Sequence, residues 1–231
     1  MCNRFKASFE FRETKVRWNL FNDLIDFKPI HNVAPGRKGD VLAIVRSDQG
    51  NEGRLMYWPL VPAFFKDMKL SFSTMNARVE RLTESATYKR LVQRRRCIIP
   101  IEGFYEWTGD KSPKQPWFIH LKSREPFALA GLWDSWRKPD GGTLESFSII
   151  TLPPNDFIRP FHDRIPAILH RDEEEPWLDC NNPFEKVRGI LEPFPSELMA
   201  AHQTTTRVNN PRYNEPDCAD PVEADQATLF G

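Results

Sequence analysis

The second residue of the chain, Cys2, has the most distinctive chemistry in this sequence. Methionine aminopeptidases remove an initiator methionine when the next side chain is small, and cysteine meets that condition. Removal of Met1 leaves an amine and a thiol on adjacent carbons, with reference pKa values of about 7.7–8.0 and about 8.5. Such a group condenses with an aldehyde through its amine, and the thiol then closes a five-membered thiazolidine ring. A small residue at position 2 also occurs by chance, so Cys2 alone does not establish this chemistry.

A second group of candidates lies at alternate positions in one short segment. Asn76, Arg78 and Glu80 share one face if this segment is extended. Arg78 could hold a phosphate with two hydrogen bonds, and Asn76 could orient a substrate or the terminal amine. The alternative is a buried Arg78–Glu80 pair that holds a loop in place.

Two further positions carry groups that can move protons. Glu106 lies between aromatic residues at the end of an apolar run, where partial desolvation raises the pKa of a carboxyl group. His162 changes charge near neutral pH, and it precedes Asp163, which could orient a partner, and Arg164, which could hold phosphate. The alternatives are a solvated Glu106 at a strand edge and a His162 with a purely structural role.

The elements that must position these groups are mostly strands. Short apolar or alternating segments recur between clusters of Gly, Pro, Asp and Lys, which is typical of an antiparallel, β-rich domain. Strands are predicted at residues 41–45, 55–58, 97–101, 117–121, 127–132 and 147–151, and helices at 16–27, 86–95 and 172–178. The helices are too few to alternate with every strand. The sequence therefore predicts a single α+β domain with a mainly antiparallel, curved or barrel-like sheet and a few peripheral helices.

Composition limits the class of protein. The chain has 231 residues, with 40% hydrophobic and 12% aromatic residues, which suffices for one globular core. It contains no apolar run long enough to cross a membrane and no signal-peptide pattern at its start, so a cytoplasmic protein is expected. The four cysteines are widely spaced, which predicts free thiols and neither a disulfide framework nor a zinc site. No cofactor, metal or membrane contact is predicted, and a monomer is expected.

The formal net charge of zero is unevenly distributed, because the C-terminal segment is acidic and the rest of the chain is mildly basic. We expect residues 1–211 to form the domain and residues 212–231 to be a disordered acidic tail. The tail contains Gln226, Leu229 and Phe230, spaced as in the peptide by which bacterial proteins bind the replication sliding clamp. Two adjacent large apolar residues at the end of an acidic tail favour a docking role, although a five-residue pattern also arises by chance.

Several short motifs follow one another in a recognisable order. They are Met1-Cys2-x-Arg4-Phe5, Asn32-Val33-Ala34-Pro35-Gly36, a tryptophan-containing strand leading to Val61-Pro62, Asn76-Ala77-Arg78-x-Glu80, Arg95-Arg96-Cys97 entering Pro100, Gly103-Phe104-Tyr105-Glu106-Trp107, Gln115-Pro116, Ala130-Gly131-Leu132-Trp133, His162-Asp163-Arg164 and Val208-Asn209-Asn210. In order and spacing they resemble the SOS response-associated peptidase (SRAP) family over nearly the whole chain. One departure is Asn3, where the family usually has glycine.

The resemblance implies a function in the DNA damage response. Proteins of this family trap abasic sites in single-stranded DNA through the N-terminal cysteine, as a thiazolidine that shields the lesion. The resemblance implies that Cys2 is the nucleophile and that Asn76, Glu106 and His162 are the catalytic groups around it. Glu106 and His162 would move protons as the sugar opens and the Schiff base forms, and Asn76 would hold the α-amine or a sugar oxygen. The family name reflects a proposal that these proteins also cleave their own initiator residue with the Cys2 thiol.

The resemblance also indicates a DNA-binding surface at the replication fork or nucleoid. Two arginines are expected to grip phosphates, and the other residues to stack on bases or bond to the strand. The residues of this predicted surface are Arg78, Arg164, Pro35, Phe64, Phe65, Trp107, Thr151 and Asn209. The run 94–96 of three arginines either faces DNA as well or merely flanks the following strand.

Two other functions stay open at this point. The first is a thiol peptidase that acts on other polypeptides, with Cys2 as nucleophile and His162 as base. The second is a non-catalytic binder of single-stranded DNA in which Cys2 is incidental. Replacement of Cys2 by alanine distinguishes these, because it removes covalent trapping and leaves non-covalent binding.

Overall fold

The computed structural model describes residues 3–24, 26–36, 41–68, 73–110 and 112–222. Within these residues the strands are β1 (Phe5–Ala7), β2 (Ile30–Val33), β3 (Val41–Ser47), β4 (Gly50–Met56), β5 (Asn76–Arg78), β6 (Arg96–Ile101), β7 (Gly103–Thr108), β8 (Gln115–Leu121), β9 (Phe127–Arg137), β10 (Thr143–Leu152), β11 (Ile165–Pro166), β12 (Ile168–Leu169) and β13 (Met199–Gln203). The α-helices are α1 (Phe11–Arg17), α2 (Leu91–Arg94), α3 (Glu174–Leu178) and α4 (Phe184–Val187).

The strands form two sheets of one domain. The smaller sheet has the order β13-β8-β7-β1-β2, and the larger has β11-β10-β9-β6-β3-β4, with β12 beside β9 and β5 beside β10. All ladders between these strands are antiparallel except the parallel pairing of β5 with β10. The predicted α+β class with a mainly antiparallel fold is confirmed, and the sheets stay open and do not close into a barrel.

Burial explains why the central strands pair as they do. Every residue of β6 is buried, and β9 and β10 are buried over most of their length, so both faces of these strands are covered.

The rim of the smaller sheet depends on a close approach at Gly103. A side chain there would bring its Cβ to 2.6 Å from the Ile119 carbonyl oxygen. Glycine is therefore required at the start of β7, the strand that contains Glu106.

The helices are shorter than the sequence predicts, and the first begins at Phe11, so the prediction at 16–27 overlaps it only at residues 16 and 17. The first ends at Arg17, and the chain then turns at Asn19, whose φ of 49° lies in the left-handed region. Leu20 forms a bridge to Asn51, and Trp18 and Leu20 are buried outside a helix, whereas Phe21 is exposed. The segment 86–95 is helical only in α2, whereas the prediction at 172–178 nearly matches α3. The apolar pattern thus includes several buried positions, but Val16 and Phe21 are exposed, and most of the predicted helical backbone is not helical.

The structure distinguishes the three arginines of the run 94–96, which the sequence analysis left either facing DNA or flanking the next strand. Arg96 is buried, and its guanidinium donates to the carbonyl oxygens of Val92, Trp177, Asp179 and Asn182 at 2.6–2.9 Å. It therefore fastens α3 and the turn after it to β6. The other two arginines of the run are exposed or half-buried.

The C-terminal segment is packed further than predicted. Cys218 is fully buried, and the Thr204 hydroxyl donates to its carbonyl oxygen at 2.6 Å. Tyr213 packs against the cluster that contains Val208 and Cys218. The sequence predicts that the disordered tail begins at residue 212. In the structure, residues up to 222 are instead packed onto the domain, because apolar residues in this acidic stretch are buried. Residues 223–231, including Gln226, Leu229 and Phe230, lie outside the described residues.

Two further features concern thiols and membranes. Cys97 and Cys218 are buried free thiols, and Cys180 is a half-buried free thiol. None of the helices found in the described ranges is long and apolar enough to span a lipid bilayer.

Candidate functional site

The first described residue, Asn3, follows Cys2 directly in the chain and lies beside two of the predicted site residues. Strand β1 pairs with β7 so that Phe5 lies opposite Phe104, and the Tyr105 amide donates to the Arg4 carbonyl at 2.9 Å. The same antiparallel register puts Asn3 opposite Glu106. Cys2 itself lies outside the described residues. Its sequence neighbour is nevertheless held next to the carboxyl group predicted to act on the substrate.

Asn76 reaches the same place from the larger sheet. Strand β5 lies parallel to β10, with Asn76 opposite Ile149. The Asn76 side-chain amide donates to Oδ1 of Asn3 at 3.3 Å. Asn76 is 9% exposed, and its own Oδ1 accepts no hydrogen bond within the part of the chain that the structure describes. A buried acceptor is therefore free to receive a donor from a bound substrate or an amine.

Glu106 is buried on the inner face of β7. It is 5% exposed and lies opposite Trp117 of β8, on the same face of the strand as the core residue Phe104. Burial raises the pKa of Glu106 to about 7, and the negative charge of Asp163 acts in the same direction. A carboxyl group with this pKa is present in both protonation states at neutral pH, which suits proton transfer.

His162 lies on a segment that covers this face of the smaller sheet. Phe161 packs edge-on against Trp117 at 5.3 Å between ring centroids, which brings the segment over the partner strand of Glu106. Nδ1 of His162 accepts the backbone N–H of Arg164 at 3.0 Å and lies 2.6 Å from the Asp163 carboxylate. Burial lowers the pKa of His162, and Asp163 partly opposes this shift. The ring is therefore mainly neutral at pH 7, and a proton gained at Nδ1 would face Asp163.

The two arginines predicted to grip phosphates have different environments. Arg164 is 8% exposed, and its guanidinium donates to both Glu80 carboxylate oxygens at 2.7 and 3.0 Å and to the Thr151 carbonyl at 2.6 Å. This ion pair lowers the pKa of Glu80. Arg78 is exposed at the end of β5. The Arg–Glu pair of this region thus joins Glu80 to Arg164 and not to Arg78, and it leaves Arg78 as the better candidate for phosphate.

Thr151 lies at the junction between these groups. It is fully buried near the end of β10, opposite Arg78 in one ladder and Pro166 in another. Its hydroxyl oxygen has no hydrogen-bond partner among the described residues. Arg164 donates a hydrogen bond to the Thr151 carbonyl and fixes the backbone there. Thr151 therefore contributes an oriented backbone and a hydroxyl group that can still form a hydrogen bond at the edge of the site.

Trp107 and Asn209 lie on the other side of strand β7. The Trp107 indole N–H donates to Oδ1 of Asn209 at 2.5 Å, and the Asn209 amide donates to the Lys114 carbonyl at 3.1 Å. The Arg4 guanidinium lies 5.7 Å from the Trp107 ring centroid. Both predicted residues are half-buried at a rim, on the face of β7 opposite to Glu106. They can border a strand of DNA, but they do not contribute to the buried centre.

The remaining predicted stacking residues are in loops. Phe64 is 63% exposed, and its ring centroid lies 5.1 Å from that of the half-buried Phe65. Pro35 is half-buried in the turn after β2, followed by Gly36, whose amide donates to the Trp58 carbonyl. Exposure of a large aromatic ring costs free energy in water, so Phe64 is the residue of this set most suited to stacking on a base.

The sequence did not reveal the roles of Asn3 and Arg4. Arg4 donates to the side chain of Asn32 at 2.8 Å and to the carbonyl of Val208 at 2.9 Å. It thereby ties the start of the chain to β2 and to a segment some 200 residues later in sequence. The motif residues Arg4, Asn32 and Val208 all belong to this one contact. The signal in the sequence for this contact is that all three residues belong to the ordered motifs.

In the ranges that the structure covers, no group of three or more His, Cys, Asp and Glu side chains is arranged to hold a metal ion. The described residues supply a carboxyl group with a pKa of about 7, a mainly neutral imidazole, a buried amide and an exposed cation. That set can open a hemiacetal and assist addition of an amine to an aldehyde.

Known proteins match this chain in sequence and fold. The family model described as SOS response associated peptidase (SRAP) matches residues 1–211. The abasic site processing protein YoqW of Bacillus subtilis is 35% identical over 94% of this chain and 98% of its own length. The abasic site processing protein HMCES of Xenopus tropicalis is 32% identical over 83% of this chain and 66% of its own length. A crystal structure of a protein from Bacteroides thetaiotaomicron is 25% identical, with a TM-score of 0.86 over 96% of this chain and all of that one.

Proposed function

Because the chain belongs to the SOS response associated peptidase (SRAP) family, we propose that it processes abasic sites in single-stranded DNA through a covalent bond to Cys2. The observation that carries this proposal is the contact of Asn3 with Asn76, beside a Glu106 whose pKa is about 7. It joins the residue after Cys2 to the groups that can move protons. The names of the relatives, abasic site processing proteins, support the same substrate.

The proposed reaction starts with opening of the abasic sugar. Neutral His162 takes the proton of the C1′ hydroxyl while protonated Glu106 gives a proton to the ring oxygen, which leaves an aldehyde. The α-amine of Cys2 adds to that carbon and gives up a proton to the Glu106 carboxylate. The resulting alkoxide takes the proton held by His162 and the remaining N–H proton and departs as water, which leaves an imine. Both side chains return to their starting states.

Ring closure completes the covalent bond. The Cys2 sulfur adds to the imine carbon, and the thiol proton moves to the nitrogen, which forms a thiazolidine without any oxidation or reduction. The free Asn76 Oδ1 accepts a hydrogen bond from the amine and holds it towards the sugar. This chemistry requires that Met1 has been removed. Either an aminopeptidase removes Met1, or the Cys2 thiol attacks the Met1 carbonyl, as the family name suggests, and water then hydrolyses the methionyl thioester. Both routes release methionine and leave a free amine beside a free thiol.

The test of this function uses protein whose N-terminus has been verified by intact mass. It is mixed with single-stranded DNA that contains one abasic site and separated on a denaturing gel. A band of reduced mobility is expected with abasic DNA and not with undamaged DNA of the same sequence. A protein that begins with Cys2 and gives no such band would contradict the proposal.

The contrast between the two arginines gives a separate prediction. Arg78→Gln is expected to weaken binding of single-stranded DNA and to reduce the slope of log K against log salt by about 0.7, since one phosphate contact is lost. Thermal stability should not change, because Arg78 is exposed. Binding of a fluorescent oligonucleotide at several salt concentrations measures both quantities. An unchanged salt slope would remove Arg78 from the DNA-binding surface.

Arg164→Gln is the matched variant and should behave in the opposite way. It breaks a charge-assisted pair and a hydrogen bond to Thr151, which costs about 2 kcal/mol of unfolding free energy. The pair holds the pKa of Glu80 below its usual 4.5, so its contribution is present above that pH and is lost as pH falls through the lowered pKa. The destabilisation should therefore shrink in acid. A variant of normal stability would show that Arg164 is not needed for the fold.

The C-terminal peptide is proposed to dock on the replication sliding clamp. Its residues lie outside the described part of the chain, so this proposal rests on the sequence pattern of Gln226, Leu229 and Phe230. Deletion of residues 226–231 is expected to abolish binding to purified clamp and to leave crosslinking of naked abasic DNA unchanged. Equal clamp binding by the full and truncated chains would contradict the docking role.

A further inference from the structure

An open cleft lined by arginines lies away from the residues of the proposed reaction. Its volume is about 480 Å³, and Arg90, Arg94 and Arg95 form one wall, with Phe64 at its rim. Arg90 precedes α2, Arg94 ends it and Arg95 follows, so three cations meet at one short helical turn. Neither the reaction nor the anchoring of Arg96 uses these side chains.

The charge of this wall is not neutralised by nearby acids. Within the described ranges, Arg90, Arg94 and Arg95 form no ion pair with Asp or Glu. The carboxylate in the lining, Asp134, is buried and accepts the backbone amides of Ala63 at 2.8 Å and Ser135 at 2.9 Å. Its oxygens are thus engaged by backbone amides, and it is one carboxylate in a lining that contains three arginines. The cleft presents an excess of positive charge to solvent.

An aromatic contact holds one arginine of this wall in place. The Arg95 guanidinium lies 4.3 Å from the Trp133 ring centroid, and Arg54 lies over the same ring at 5.0 Å. Arg54 is in turn paired with Glu52 and Glu145. Arginine stacked on an aromatic ring keeps its hydrogen-bond donors available at its edge. Arg95 is thus held in place by its flat face, and its N–H groups remain available to an anion.

The cleft is connected to the proposed reaction site by strand β10. Asp134, in the cleft, lies opposite Ser146, whereas Asn76 and Arg78 lie beside Ile149 and Thr151. Three to five residues of a strand correspond to roughly 10–17 Å. At a rise of about 3.4 Å per nucleotide this is about three to five nucleotides, and fewer for an extended single strand. The exposed ring of Phe64 borders the cleft and is suited to stacking on a base.

We propose that the arginine cleft binds backbone phosphates of the damaged DNA strand a few nucleotides to one side of the abasic site. This inference rests on the proposed function and adds to it a second contact that does not take part in the covalent step. Guanidinium groups bind phosphate oxygens with two parallel hydrogen bonds, and the open cleft lets a continuous strand pass through. The contact lengthens the binding footprint on one side of the lesion only.

The experiment compares the double variant Arg90→Gln/Arg94→Gln with the wild-type protein. A matched control, Arg12→Gln/Arg188→Gln, removes the same charge from exposed positions elsewhere. The probes carry a tetrahydrofuran abasic analogue, which has no aldehyde and allows only non-covalent binding. One probe is short, and two others are extended on the 5′ or the 3′ side by about eight nucleotides, more than the strand geometry requires.

The cleft variant is expected to bind one of the two extended probes several-fold more weakly than the wild-type protein does. Its salt slope on that probe should fall by about 1.4, as expected for two lost contacts to a single strand. The short probe and the probe extended on the other side should bind alike, and the control should match the wild-type protein. Equal affinity and equal salt slope on every probe, or an equal loss in the control variant, would overturn the proposal.

Crosslinking to a short oligonucleotide with a true abasic site separates this inference from the proposed function. If the wild-type protein crosslinks that oligonucleotide but the cleft variant shows no defect on any probe, the cleft assignment fails and the proposed function stands. If the wild-type protein forms no crosslink, the proposed function fails whatever the cleft does. Weaker binding of one extended probe would then still show that the cleft holds a DNA strand.

Discussion

Replacement of Cys2 by alanine is expected to reduce the gel-stable DNA product to background and to leave non-covalent DNA affinity unchanged. Alanine is also small, so removal of Met1 should still proceed and the α-amine should remain. Without the sulfur, the imine cannot close to a thiazolidine and hydrolyses during denaturation. The contacts of Arg78 and Phe64 with DNA do not depend on the thiol.

Borohydride reduction makes this experiment sharper. It converts the imine of the alanine variant to a stable amine, so a covalent band should return when the reductant is present. Cys180→Ala is the matched control, since Cys180 is the most accessible of the three thiols described by the structure. That variant should crosslink like the wild-type protein. A full-strength product from Cys2→Ala without reductant would show that another group is the nucleophile.

The same comparison tests the two other functions considered. A passive binder of single-stranded DNA would form no gel-stable product even as the wild-type protein. A thiol peptidase would lose cleavage of a peptide substrate in Cys2→Ala and would show no dependence on abasic DNA. The three outcomes differ in which band or product disappears, so one set of proteins distinguishes them.

Replacement of Glu106 by glutamine is expected to slow crosslinking by a factor of about 100 or more, since a positioned general acid–base group contributes at least that much. The pH profile should change as well. The reaction needs protonated Glu106, whose pKa is about 7, and a deprotonated α-amine, whose reference pKa is about 7.7–8.0. The wild-type rate should therefore rise and then fall with pH, with a maximum between about 7 and 8. The variant should lose the alkaline limb.

Glu106→Gln should also make the folded protein more stable at alkaline pH. The folded pKa of about 7 lies above the usual 4.5, so burial of this carboxyl group is least costly below pH 4.5 and becomes costly as pH rises through 7. A difference of this size corresponds to roughly 2–4 kcal/mol. The melting temperature of the variant should exceed that of the wild-type protein by roughly 5–10 °C at pH 8 and match it near pH 4.

Glu102→Gln provides the control for this pair of effects. Glu102 lies four residues earlier, accepts the amide and hydroxyl of Ser8 and pairs with Lys6. Its replacement should lower stability slightly and leave the crosslinking rate and its pH profile unchanged. A Glu106→Gln protein that crosslinks at the wild-type rate with the same pH profile would exclude Glu106 as the proton donor.

Much of the architecture follows from the sequence alone. Alternating apolar residues and turn clusters predicted the strands near β3, β6, β8, β9 and β10 and the α+β class, because side-chain burial on a strand has a period of two. The types of Cys2, Asn76, Glu106 and His162 and the order of the motifs limited the chemistry that the chain can perform. The raised pKa of a carboxyl group among aromatic residues follows from local composition in the same way.

The pairing of distant residues depended on tertiary structure. Glu80 bonds to Arg164, 84 positions away, and Asn76 to Asn3, 73 positions away. The Asn76 contact depends on the ladders of β5 with β10 and of β1 with β7, and no local pattern specifies a ladder between strands so far apart in sequence. Likewise, Arg96 is buried and Arg94 exposed because carbonyl groups from the α3 region surround only the first. Sequence periodicity predicts which side chains leave water, whereas long-range packing decides which groups they meet.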